Sequence, residues 1–218
     1  MKIVFIESKQ TLKVKLPKSF LKMLPKKTGV FTTVQYINKI DDVIKQMLKA
    51  GITAKKYKLS HSKYEGQILG CNIEKFTGVD GFLYIGEGKF HPKAIALRNE
   101  LPVYTYNPLD KKSDLISKEE ISVMQRKEKG ALLKFYSSTN IGVLITLKHG
   151  QSNLAQAQQL QGKFPDKKIY FFADDTFDFS TLENFPFIDC FVNTACKRIG
   201  MDDSIRLIKP IINADSIL

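Results

Sequence analysis

An internal repeat constrains the fold of this chain more strongly than any other feature of its sequence. Residues 29–35 (GVFTTVQ) align with residues 142–148 (GVLITLK), and residues 80–86 align with residues 189–195. The two offsets, 113 and 109 residues, differ by only four, which is typical of one unit duplicated with small insertions. In each copy, apolar strand patterns alternate with helical patterns, and such an alternation forms parallel sheets. The sequence therefore predicts an α/β fold of two similar domains, each a parallel sheet with flanking helices.

The two predicted domains comprise residues 1–112 and residues 113–218, with a charged linker at residues 110–117. A short strand is predicted at residues 2–7 and a long helix at residues 118–137. Ligands of parallel α/β sheets bind at the carboxyl ends of the strands. We therefore expect functional side chains in the loops that follow strands.

Composition limits the class of protein. The 218 residues include 34 Lys and Arg against 22 Asp and Glu, a formal net charge of +12. The lysines are dispersed, which favours a solvated surface, with an acidic partner as the alternative; no basic-aromatic motif points to nucleic acid. The sequence contains no run of eighteen apolar residues, so it predicts no membrane-spanning helix. Three cysteines without close pairing indicate a reducing, cytoplasmic location rather than a disulfide framework.

Two of the cysteines occupy loop positions. Cys71 lies in a polar turn flanked by glycine, and Cys196 falls where an apolar strand pattern gives way to a loop. Cys190 lies inside that strand and is predicted to be a buried structural thiol. The residues alone leave four roles open for Cys71 and Cys196: iron–sulfur ligand, incidental thiol, zinc ligand or nucleophile. Zinc is disfavoured because the sequence contains no CxxC or HxxxH pair.

A glycine turn follows the strand pattern at residues 82–85. Gly86 and Gly88 allow a ligand to approach the backbone, and His91 precedes a proline suited to the first turn of a helix. Backbone N–H groups at such a helix start favour a carboxylate. The alternative is a tight turn that His91 merely closes.

Four segments of the chain resemble the diphthamide-synthesis enzymes, the family of the archaeal 2-(3-amino-3-carboxypropyl)histidine synthase. They are residues 66–71 (GQILGC), 84–92 (YIGEGKFHP), 101–108 (LPVYTYNP) and 188–196 (IDCFVNTAC). With their spacing they cover nearly the whole chain from about residue 28 onward. Several long motifs in the same order make the resemblance specific.

The resemblance implies a function. In that family, three similar domains each supply one cysteine to a [4Fe-4S] cluster, and an open iron position binds S-adenosyl-L-methionine. The cluster cleaves the sulfonium, and a 3-amino-3-carboxypropyl radical adds to a histidine of translation elongation factor 2, the first step of diphthamide formation. Cys71 and Cys196 match two of the three cluster ligands.

The resemblance also suggests residues for cofactor binding besides Gly86, Gly88 and His91. Gln151 occupies the equivalent turn of the second repeat. Arg126 is a candidate partner of the methionine carboxylate, or simply an exposed helical arginine. Asp202 is a candidate for binding cofactor or target histidine, or a helix N-cap.

The chain departs from the family pattern in one respect, because nothing in it resembles the first domain with its cysteine. A split gene with a separate polypeptide for that domain, a truncation and a degenerate subunit are three explanations. A homo- or hetero-dimer is compatible with each. The rival functions are a non-catalytic scaffold or electron-relay subunit of the same enzyme, and a nucleotide-binding regulatory module.

Overall fold

The computed structural model describes residues 4, 6–70, 73–201 and 207–218. The chain divides into two compact units, Met1–Ile121 and Ser122–Leu218. Each unit contains one sheet in which parallel strands dominate, with helices packed against it. The predicted α/β class is therefore confirmed. Within the described ranges, no helix is long and apolar enough to span a membrane.

The first unit has a five-stranded sheet. Its strands are β1 (Lys27–Thr32), β2 (Thr53–Lys55), β3 (Gly81–Ile85), β4 (Val103–Asn107) and β5 (Lys112–Leu115). The order across the sheet is β2-β1-β3-β4-β5, and only β5 runs antiparallel to its neighbour. The helices of this unit are α1 (Lys18–Met23), α2 (Ile40–Lys49) and α3 (Phe90–Asn99), with a 3₁₀ helix at Val34–Lys39.

The second unit has a four-stranded, fully parallel sheet. Helix α4 (Lys118–Ser137) leads into it, with the same bounds as the sequence predicted. The strands and remaining helices are β6 (Asn140–Thr146), α5 (Leu154–Lys163), β7 (Lys168–Asp174), β8 (Cys190–Asn193), α6 (Arg198–Met201) and β9 (Ile211–Asn213). The order across the sheet is β7-β6-β8-β9.

The predicted repeat is visible in the packing of the two units. Both sheets place their first strand centrally, the second on one side, and the third and fourth on the other. A Cβ at Gly29 would lie 2.7 Å from Cδ1 of Phe82, and a Cβ at Gly142 would lie 2.6 Å from Cδ1 of Phe191. In each unit a glycine in the central strand thus makes room for a phenyl ring on the neighbouring strand. The sequence alignment pairs the same glycines and the same phenylalanines.

Each sheet is covered by apolar side chains on both faces, as parallel sheets require. All five residues of β3 are buried. Two apolar clusters pack on opposite faces of the first sheet, and two more pack on the second.

Two segments differ from the sequence-based expectation. Residues 110–117 are not a linker, because they contain β5. The side chain of Asp110 accepts a hydrogen bond from the Lys112 N–H, and Lys111 adopts a positive φ of 58°, so the chain reverses and pairs with β4. All four side chains of β5 are exposed, and most of them are polar. An exposed edge strand of this kind therefore has the same polar composition as a linker.

The described part of residues 2–7 forms no strand. Further along, the segment before α1 is tied to α2 by the side-chain amide of Gln46. Gln46 accepts from the Leu16 N–H at 2.9 Å and donates to the Val14 carbonyl at 2.9 Å.

Candidate functional site

The glycine turn after β3 lies at the carboxyl edge of the first sheet, as predicted. Gly86 has φ of +152° and Gly88 has φ of +72°, both unfavourable for residues with a side chain. A Cβ at Gly86 would lie 2.7 Å from the Tyr84 hydroxyl, whereas no atom of the described residues lies within 4 Å of a Cβ at Gly88. Gly86 thus permits a close internal contact, and Gly88 borders open space.

His91 lies in the first turn of α3 and packs on Tyr84. The two rings stack with centroids 5.7 Å apart, and the Tyr84 hydroxyl lies 3.4 Å from His91 Nδ1. Burial and the nearby Glu87 raise the pKa of Tyr84 above its ordinary value, so the phenol stays protonated. His91 therefore packs against the end of the glycine turn. It lies beside the backbone of Gly86 and Gly88, which the sequence predicted as a ligand site.

Glu87 and Tyr36 belong to the same cluster, and the sequence analysis missed both. Tyr36 is fully buried in the 3₁₀ helix after β1, and its hydroxyl donates to Glu87 Oε1 at 3.1 Å. Burial, followed by this bond, raises the pKa of Tyr36 to about 12. Because β1 and β3 are adjacent and parallel, their following segments meet at one edge. No pattern in the sequence marks this contact, because it depends on which strands are neighbours in the sheet.

Cys71 and Asp202 lie outside the described residues. The chain just before Cys71 reaches the same edge as the glycine turn. The Ile68 N–H donates to the Thr32 carbonyl at 2.9 Å, at the end of β1, and Gly70 packs against the ring of Phe90 at the start of α3. Gly70 has no side chain, which is what lets this ring approach.

Cys196 lies in the loop after β8, at the carboxyl edge of the second sheet, and is half-buried with a free thiol. Two asparagine side chains build the loop. Asn193 donates to the Cys196 carbonyl at 2.9 Å and to Asn213 Oδ1 at 2.7 Å, and it accepts from the Ala195 N–H at 3.0 Å. Asn213 donates to the Lys197 carbonyl at 3.1 Å. The backbone on both sides of Cys196 is therefore fixed by this pair of amides, of which Asn193 is buried.

Cys190 is fully buried within β8, as predicted. Burial raises the pKa of its thiol to about 12, so the thiolate needed for metal binding or attack is strongly disfavoured.

Gln151 and Arg126 are both exposed residues of the second unit. Gln151 lies in the turn after β6, where Gly150 has φ of +78° and the Gln151 N–H donates to the Lys148 carbonyl at 3.1 Å. Since β6 and β8 are adjacent, this turn shares the carboxyl edge with Cys196. Arg126 lies within helix α4, between β5 and β6, and not in a loop that follows a strand of the second sheet.

The described side chains alone do not complete a metal site. No group of three His, Cys, Asp or Glu residues among them is placed to hold a metal ion. Cys196 has the donor atom, the partial exposure and the fixed loop that suit a cluster ligand. Among the described residues, Cys196 can thus supply one thiolate ligand to an iron–sulfur cluster, but these residues do not supply a complete set of ligands.

Comparison with known proteins gives the family. The model of the diphthamide synthesis proteins matches residues 1–215. This chain belongs to that family. It is 28% identical to the 2-(3-amino-3-carboxypropyl)histidine synthase of Pyrococcus horikoshii, over 90% of this chain and 58% of the relative. It is 34% identical to the synthase of Methanocaldococcus jannaschii, over 66% of this chain and 43% of the relative.

A solved structure supports the same conclusion. Dph2 from Pyrococcus horikoshii with a 4Fe-4S cluster matches with a TM-score of 0.76 and 26% identity, over 90% of this chain and 57% of that chain. A relative from Encephalitozoon cuniculi, 27% identical over 85% of this chain and 54% of its own length, is named as subunit 1 of the synthase. The chain spans about half the length of the curated relatives it matches.

Proposed function

We propose that this chain forms two domains of a radical-type S-adenosyl-L-methionine enzyme. The enzyme transfers a 3-amino-3-carboxypropyl group to a histidine of translation elongation factor 2, the first step of diphthamide biosynthesis. The observation that carries the proposal is the likeness, over 90% of the chain, to a structure that contains a 4Fe-4S cluster. The units Met1–Ile121 and Ser122–Leu218 would then correspond to the middle and C-terminal domains of the family.

In this proposal Cys71 and Cys196 hold a [4Fe-4S] cluster. When bound, the cluster supplies the electron that cleaves the sulfonium of S-adenosyl-L-methionine. Such a cluster takes three or four thiolates, and Cys190 is excluded because its thiol is buried with a pKa raised to about 12. The third thiolate would therefore come from outside these 218 residues, from the family's first domain.

The glycine turn of the first unit would bind the amino-acid part of S-adenosyl-L-methionine. N–H groups at Gly88 and the start of α3 suit a carboxylate, since no side chain caps this helix and none of its first residues is acidic. Glu87, fixed by Tyr36, suits the ammonium group. Gln151, Arg126 and Asp202 remain proposed cofactor-binding residues of the second unit.

The proposal is tested by anaerobic reconstitution with iron and sulfide, with and without the first-domain polypeptide. Iron and sulfide content, the absorbance of the cluster and its EPR signal after reduction are measured on both samples. A stoichiometric cluster is expected only in the mixture. Transfer of label from S-adenosyl-L-methionine to elongation factor 2 should depend on the same mixture.

Matched cysteine variants separate this proposal from its rivals. Cys71→Ala and Cys196→Ala should each abolish the cluster, whereas Cys190→Ala should retain it. A full cluster and full transfer with Cys71→Ala would overturn the assignment. Transfer that survives loss of both loop thiols would identify the chain as a scaffold for another catalytic subunit.

A further inference from the structure

Residues 8–40 carry positive charge without any negative charge. They include eight lysines and no aspartate or glutamate, although the whole chain has 22 acidic residues among 218. Five of these lysines form what we call the basic strip: Lys13, Lys15, Lys18, Lys22 and Lys26. All five are exposed. Within the described part of the chain, none of them forms an ion pair with a carboxylate.

The backbone under the first lysines of the basic strip is fixed by side chains of the core. Val14 and Leu16 are buried and alternate with the exposed lysines. The Tyr106 hydroxyl donates to the Lys15 carbonyl at 2.9 Å, and the Gln46 amide bonds the backbone on either side of it. The lysines therefore project from a defined surface of the first unit and not from a loose tail.

The basic strip crosses the first unit from the carboxyl edge of its sheet to the amino edge. Upstream of the strip, the Gln10 N–H donates to the Gln35 carbonyl at 2.7 Å, just beyond the end of β1. At its other end, the Lys26 carbonyl accepts from the Thr53 N–H at 2.8 Å, where β1 and β2 begin. The strip thus spans the length of the central strand.

The spacing of the lysines suits a regular row of negative charges. Lys13 and Lys15 are two extended residues apart, about 7 Å. Lys18 and Lys22 are four residues apart on α1, about 6 Å along the helix axis. The phosphates of one strand recur about every 3.4 Å along a nucleic-acid duplex. Successive lysines can therefore pair with about every second phosphate.

The other side chains of the basic strip limit the class of partner. Residues 11–27 contain no arginine, and their one aromatic residue, Phe20, is buried, so the strip has no group suited to stack on or read a base. Between Lys13 and Lys22 no large apolar side chain is exposed. Protein interfaces and membrane-surface helices are both built around such side chains. A phosphate backbone is the partner that needs charge alone.

We propose that the basic strip binds the phosphodiester backbone of a nucleic-acid duplex without reading its base sequence. This binding does not rest on the proposed function, since neither a cluster nor S-adenosyl-L-methionine takes part in it. Lysine ammonium groups displace the counterions of the phosphates, and the release of these ions drives association. The affinity therefore falls steeply with salt concentration, by an amount that counts the contacts.

The salt dependence of binding tests the proposal. The full chain is titrated into a labelled RNA duplex of about 20 base pairs, and the fluorescence anisotropy is measured from about 50 mM to about 200 mM salt. Five phosphate contacts predict a slope of about −4.5 for the logarithm of the affinity against that of the salt concentration. Replacing Lys18 and Lys22 by glutamine should reduce the slope to about −2.7. The matched control replaces Lys127 and Lys129, two exposed lysines of α4 on either side of Glu128, and should leave the slope unchanged.

A second variant and three other probes make the test decisive. Replacing Lys13 and Lys15 by glutamine should lower the slope as much as the first pair does, although these residues lie outside α1. A DNA duplex of the same sequence, anionic phospholipid vesicles and poly-glutamate are titrated in the same way. Binding to either duplex supports the proposal, and the tighter of the two identifies the source of the phosphates. The proposal is overturned if neither duplex binds at low salt, if the control pair lowers the slope equally, or if vesicles or poly-glutamate bind more tightly.

Discussion

Replacing Gly142 by alanine tests the packing that defines the repeat. A Cβ at this position would lie 2.6 Å from both Cδ1 and Cε1 of Phe191, and 3.0 Å from Cε2 of Phe172. Carbon atoms in contact prefer a separation of about 3.5–4.0 Å, so the ring must retreat by about 1 Å. Phe191 is 1% exposed and packs edge-on against Phe172, with centroids 5.8 Å apart, which leaves it no vacant space. Overpacking of this kind costs about 1–3 kcal/mol.

Urea unfolding measures this cost. With a slope of about 2 kcal/mol per molar urea, a loss of about 2 kcal/mol lowers the midpoint by about 1 M at unchanged slope. Gly29→Ala should behave alike in the first unit, since its Cβ would lie 2.7 Å from Phe82. Gly130→Ala is the matched control. Outside the backbone of α4 itself, no atom of the described chain lies within 4 Å of its Cβ, so alanine should stabilise by up to about 1 kcal/mol. Unchanged stability of Gly142→Ala, beside a stabilised Gly130→Ala, would refute the reasoning.

Three further predictions concern single side chains of the two units. Cys190→Ala should make the free energy of unfolding depend less on pH in the alkaline range. Burial raises the pKa of the Cys190 thiol from 9.0 to about 12, so the stability that the neutral thiol contributes is complete below pH 9. As the pH rises from 9 toward 12, this stability is lost by about 1.4 kcal/mol per pH unit. Urea midpoints between pH 8 and pH 10.5 should therefore fall less steeply than in wild type, and parallel curves would contradict this. Tyr36→Phe removes the 3.1 Å bond to Glu87 and should cost about 0.5–1.5 kcal/mol in the same assay, whereas an unchanged midpoint would show the bond to be dispensable. Asn193→Ala leaves the backbone around Cys196 unpaired, so the Cys196 thiol should react faster with a thiol reagent, measured by peptide mapping; an equal rate would show that the amide does not hold the loop.

The sequence was enough to predict those elements that arise from local residue preferences or from apolar periodicity. The strand patterns, the glycine turn after β3 and the long helix α4 follow from apolar periodicity and from glycines at positions of positive φ. Burial of Cys190 follows in the same way from its place inside an apolar run. The internal repeat indicated in addition that the two units share one topology, because a duplicated pattern folds twice in the same way. The order of the strands within each sheet was not predicted.

Contacts between distant polar side chains were beyond the sequence. The bond between Tyr36 and Glu87 joins residues 51 positions apart, and the pair Asn193–Asn213 joins residues 20 positions apart. Neither has a periodic pattern, and each depends on which strands are neighbours in the sheet. Strand β5 was missed for a different reason, because an exposed edge strand carries no apolar alternation to distinguish it from a linker.

The two units hold equivalent loops in place with different kinds of side chain. Each must fix a loop at the carboxyl edge of a parallel sheet, where backbone groups no longer have a strand to pair with. The first unit uses phenols, with Tyr36 and Tyr84 reaching from the core to the Glu87 turn. The second uses the amides of Asn193 and Asn213.

The choice of group has a functional consequence. A phenol anchors a loop by a single oxygen on a rigid ring, and the hydroxyls of Tyr36 and Tyr84 contact the carboxylate and the carbonyl of Glu87 rather than its N–H group. A primary amide both donates and accepts, so Asn193 satisfies the Ala195 N–H and the Cys196 carbonyl together. The first loop is thereby suited to bind a small anion through its backbone, and the second to present one sulfur atom at a fixed position.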